Sequence, residues 1–292
     1  MTMFIVWAFY LAHQFSLWAA IYWARRNLVE FRTTPAPGLT KYNYAALIIT
    51  VSFVVLHLLQ THVWFDGLAQ DVPIWTSQGS VIVLLSMILV IENPRRGLFM
   101  GRKAGKPFTA QASAFFRRNH PYIVSWALVY TFWFHPMTYD PQLLSGFFYM
   151  FLLFTQVILA YTTVHVDKRW IVTLESYVAI HALIVAVYNT IYHGSPDMWP
   201  MFFAGFAFMF VFTYMYALKA RRGFLGLITV AYVLFLVWLY TPAPLGFGRD
   251  ISYLFRIEFL WIPIALYGLS AVFALLAHLY VRDKTPPNNT VG

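Results

Sequence analysis

Runs of about 20 apolar residues, separated by short polar or Gly/Pro-containing stretches, recur along the whole chain. A helix needs about 20 such residues to cross a hydrocarbon core. That template fits over 3–24, 43–65, 73–92, 120–139, 142–163, 170–193, 198–218, 223–241 and 257–281. The pattern predicts an all-α, polytopic membrane bundle of about nine spans, forming a single domain over 1–292. The stretches "TYDPQ" and "GSPDMWP" predict tight hairpins. The two long connections, "RRNLVEFRTTPAPGLTKYN" and "ENPRRGLFMGRKAGKPFTAQASAFFRRN", carry much of the charge. No short apolar core with a small-residue cleavage site opens the chain, so the first run reads as a retained span. The tail "TPPNNTVG" reads as frayed, and its Asn288 sequon as accidental.

Composition supports this pattern. Of 292 residues 60% are hydrophobic and 11% charged, so most of the surface cannot face water. A net charge of +9 suggests nucleic acid at first sight, but topology accounts for it. All Lys and Arg except Arg249 and Arg256 fall in alternate loops, which excludes nucleic acid as a partner. The positive-inside rule then predicts an external N-terminus and a cytoplasmic C-terminus; the expected location is a bacterial inner membrane. The basic residues of 95–118 either grip anionic lipid headgroups or a phosphate-bearing ligand, or simply anchor the topology. Cysteine is absent, which excludes disulfides, iron–sulfur clusters and thiolate chemistry.

Histidine is the remaining source of chemistry. By depth, His13 and His181 fall near mid-membrane, with His57 toward one leaflet. His62, His135 and His193 fall near the outer boundary, and His120, His165 and His278 near the cytoplasmic one. Ionisable residues at mid-depth usually face the bundle interior and mark ligands, cofactors or proton paths. A pair of imidazoles suits haem b, whereas a non-haem metal requires three converging ligands, such as His62, His135 and His193. His120, directly before Pro121, reads as a helix entrance, and Glu175 with Tyr177 and Arg169 as a polar cluster.

Three segments, "LAHQFSLWAAIYWARR" (11–26), "RRNHPYIVSW" with "FWFHPMTYDPQLL" (117–126 and 132–144), and "HVDKRWIVTLESY" (165–177), resemble a membrane superfamily. It includes NnrU proteins, zeta-carotene isomerases and isoprenylcysteine-directed methyltransferases. The resemblance covers about 3–180, a six-helix part, and leaves 198–281 as three additional helices. It implies a haem-b enzyme performing redox chemistry or isomerisation on an apolar, isoprenoid-like substrate. The implied iron ligands are His13 and His135, with His57 and His181 as competing or supporting residues. The methyltransferase members imply an alternative, S-adenosylmethionine held near Arg118, His120, Asp167 and Arg169. Asn119 and Val166-Asp167 depart from the motif there. A further alternative is a transporter, or a subunit that meets partner subunits and membrane lipid through a merely structural set of histidines.

Overall fold

The computed structural model describes residues 2–194 and 198–282, so the whole tail "TPPNNTVG", including Asn288, lies outside the described residues, as do three residues of the second predicted hairpin. The chain is all helical. Its helices are α1 (Thr2–Asn27), α2 (Lys41–Trp64), α3 (Ile74–Arg96), α4 (Ala110–Phe134), α5 (Pro141–Ile158), α6 (Lys168–His193), α7 (Trp199–Phe212), α8 (Arg222–Tyr240), the short α9 (Ile251–Phe255) and α10 (Trp261–Arg282).

Among the described residues, eight helical segments are long and apolar enough to cross a membrane. They match eight of the nine predicted spans. The ninth, predicted at 120–139, lies in α4, which is long enough but not among the eight. Arg117, Arg118, Asn119 and His120 stand within it. Its apolar half compensates by being buried nearly all round: Ala127, Leu128, Val129, Phe132, Trp133 and Phe134 are each at most 2% exposed. A helix surrounded by other helices can carry polar residues that a lipid-facing one cannot. Accordingly α4 packs against α1, α3, α5 and α10. The last helices are not an appendage, since α10 also packs on α3 and α7.

Local signals set the boundaries. The Thr109 hydroxyl accepts the amide of Ala112, starting α4 ten residues before the predicted entrance at His120. Asp140 caps α5, which has Pro141 in its first turn, and Asp167 caps α6. At the other end of α4, the residue before a proline is forced out of the helical region. His135 is accordingly extended (φ −106°, ψ 139°), and the helix stops at Phe134. Outside, Phe4, Ile48, Val63 and Leu227 are all more than 60% exposed, as a lipid-surrounded bundle requires.

Candidate functional site

Pro121 lies inside α4 and has no N–H for the carbonyl of Arg117, four residues earlier. The His120 imidazole takes that place, its Nδ1 lying 2.7 Å from the Arg117 oxygen. Nearby, the last carbonyls of α5 also lack helical partners and are met by side chains. His165 Nδ1 donates to the Gln156 carbonyl at 2.9 Å, and the Tyr42 hydroxyl to that of Val157 at 3.0 Å. Asn43 reaches the carbonyls of Ile158 and Ala160.

A carbonyl can only accept, so both imidazoles carry their proton on Nδ1 when neutral. Nε2 is left as a lone pair. The rings lie 6.0 Å apart between centroids, 27° from parallel. Gln156 is itself fixed, donating from Nε2 to the His165 carbonyl at 3.1 Å and accepting the Trp170 indole at 2.7 Å. Burial pushes the His165 pKa down, and the backbone bond to Gln156 only partly opposes this.

The two histidines border a cavity of about 100 Å3. Its other walls are chiefly apolar, with Leu84, Ile88, Val124 and Leu153 among them, and it also touches Tyr42, Tyr149, Gln156 and Glu175. It joins the C-terminal half of α5 and the middle of α3 and α4 to the N-terminal parts of α2 and α6. Glu175 pairs with Arg96 of α3 through one oxygen, while its Oε1 has no partner. The predicted cluster of Glu175 with Arg169 is not formed. Six residues along a helix turn Arg169 onto another face, where it is exposed. Arg96 is likewise no lipid-gripping loop residue: its side chain is fully buried, with the Tyr214 ring 4.9 Å from its guanidinium carbon.

The four histidines predicted to hold haem sit elsewhere. His13 is fully buried, with Phe53 stacked at 4.6 Å and Phe154 at 5.7 Å. Its Nδ1 accepts the Trp133 indole N–H at 3.2 Å, so Nε2 carries the proton. His57, equally buried, donates from Nε2 to the backbone carbonyl of His135 at 2.9 Å. Thus His135 contributes its main chain here, and its half-buried ring packs edge-on to Phe134. His181 is half-buried on α6, with Nδ1 3.2 Å from the Ser145 hydroxyl. Haem b does not fit His13 in this arrangement, because aromatic rings cover its faces and its free nitrogen is the protonated one.

S-adenosylmethionine fares no better at the alternative residues. His120 borders the cavity, but Arg118, Asp167 and Arg169 are exposed and are not among its walls. The Asp167 carboxylate is committed to the amides of Arg169 and Trp170, and its pKa is lowered chiefly by the Trp170 N–H. Among the described residues no three His, Cys, Asp or Glu side chains converge as a metal site, so His62, His135 and His193 do not form one.

Residue-by-residue reading singled out His120 but not its partner His165, nor Gln156. The available signal was that both histidines share one depth and that a proline follows the first. No family model, curated protein or solved structure matches the chain. Its helices establish a polytopic helical membrane protein with eight candidate spans among the described residues.

Proposed function

We propose that the chain is an integral membrane enzyme that performs general acid–base chemistry on an apolar substrate, with His120 and His165 as the proton-transferring pair. The observation that carries this reading is that both imidazoles are held by backbone carbonyls with Nε2 free at one small, mostly apolar cavity. A neutral imidazole with a fixed tautomer is a ready base, and once protonated it is the corresponding acid. Isomerisation is the reaction type that needs nothing more: one imidazole takes a proton from an activated carbon on its Nε2 lone pair, and that proton is returned elsewhere on the same molecule, either by the same ring or by the second ring after it has passed to that ring's Nε2. Atoms then balance without oxidant or co-reactant. An isoprenoid-like substrate, as in the superfamily that the sequence resembles, fits the apolar walls only through its reacting end. A void of about 150 Å3 holds benzene, and this one is smaller. On the positive-inside reading the cavity lies at the cytoplasmic face, in a bacterial inner membrane.

Such an enzyme exchanges substrate protons with solvent. Purified protein incubated in D2O with a lipid extract of its expression host is expected to place deuterium in an apolar component, detected by mass spectrometry. His120→Ala and His165→Ala should each abolish that label. Equal labelling by wild type and both variants would sink the proposal.

A further inference from the structure

We infer that this cavity selects an apolar chain ending in an uncharged hydroxyl and rejects an anionic headgroup. The inference rests on the cavity being the substrate site proposed above. Its polar walls share one property: nearly every donor they own is already committed, the exception being the second N–H of the Gln156 amide. Tyr42 donates to the Val157 carbonyl and Tyr149 to that of Leu174. His120 and His165 donate to Arg117 and Gln156, and the Gln156 amide to His165. What remains for a ligand is chiefly acceptors: two imidazole Nε2 lone pairs and Glu175 Oε1, a buried carboxylate oxygen with no partner.

An anionic head, whether carboxylate or phosphate, presents only oxygen lone pairs and finds at most one Gln156 N–H here to donate to it, too little to replace the hydration of a full charge. A hydroxyl brings the missing donor, satisfies Glu175 or an imidazole, and enters from lipid without shedding the hydration of a full charge. An ammonium brings donors too, but Arg96 already neutralises Glu175. No net negative charge is left to repay desolvation of the cation. With about 100 Å3 available, the head and its first few carbons fill the space and the rest of the chain lies outside it.

The test compares dodecanol, dodecylamine and dodecanoate titrated into the full protein in phosphatidylcholine nanodiscs, with empty nanodiscs as reference and Val124→Phe as a cavity-filled control. The alcohol is expected to bind at least tenfold more tightly than either charged analogue, and Val124→Phe should remove that binding. Glu175→Gln, if it folds, should weaken the alcohol roughly ten- to hundredfold. Tighter binding of dodecanoate or dodecylamine that Val124→Phe still abolishes would overturn the hydroxyl assignment while leaving the cavity as the site. Absence of binding by all three, or binding indifferent to Val124→Phe, would remove both.

Discussion

The imidazole of His120 donates to the Arg117 carbonyl that Pro121 leaves without its helical partner. The His-Pro pair is thus neither a plain helix boundary nor an arbitrary active-site motif. Proline makes the vacancy, histidine fills it, and filling it fixes which ring nitrogen stays free.

Pro121→Ala tests this coupling. An alanine restores the N–H for Arg117, and replacing a helix-interior proline ordinarily gains up to about 3 kcal/mol. Here His120 already satisfies the carbonyl, so the gain in thermal unfolding is expected to be smaller. The freed imidazole should cost tenfold or more in deuterium incorporation. Unchanged incorporation in a stabilised variant would break the link between Pro121 and His120.

The Arg96–Glu175 pair supports the cavity wall from α3. Removing one partner strands a buried charge, so Arg96→Met or Glu175→Leu alone should each destabilise by about 3–5 kcal/mol. The double variant Arg96→Met with Glu175→Leu is expected to lie near wild type. Chemical denaturation of the four proteins gives the coupling, and strictly additive losses would refute a mutually compensating pair.

Trp133 and His13 answer the haem expectation. Protein expressed with ample haem is predicted to show no Soret band, oxidised or reduced, because the faces of His13 are covered by Phe53 and Phe154. Trp133→Phe should cost about 1–3 kcal/mol by leaving the buried Nδ1 without its donor. A Soret band lost in His13→Ala would reinstate the iron.

His165 gives a pH dependence with a definite sign. Burial lowers its pKa below the ordinary 6.5, so the unfolded chain binds this proton more tightly than the folded one. Its contribution is complete above that value and is lost as pH falls from there through the folded pKa. His165→Gln should flatten the unfolding temperature over that interval, and an unaltered slope would exclude His165 as its source.

Much of the architecture was legible because lipid imposes a length rule: apolar runs such as 43–65 and 170–193 predicted α2 and α6 to within a few residues. The start of α4 was not, since Ala110–Phe116 is helix-forming but lies outside any apolar run and depends on the Thr109 cap. The site was legible by residue type and depth, not by pairing. Arg96 and Glu175 are 79 positions apart, and His165 meets His120 only because the C-terminal end of α5 lies beside the middle of α4. Mid-membrane depth drew attention to His13 and His57, whose partners turned out to be an indole and a carbonyl, neither of them visible in spacing.

Nitrogen-15 NMR of histidine-labelled protein, with His120 and His165 assigned by single substitutions, tests the central claim most directly. Two neutral rings protonated on Nδ1, each with an unprotonated Nε2, are predicted at neutral pH. Protonation on Nε2 in either ring, or a doubly protonated ring, would contradict the account of an imidazole pair held by backbone carbonyls for proton transfer.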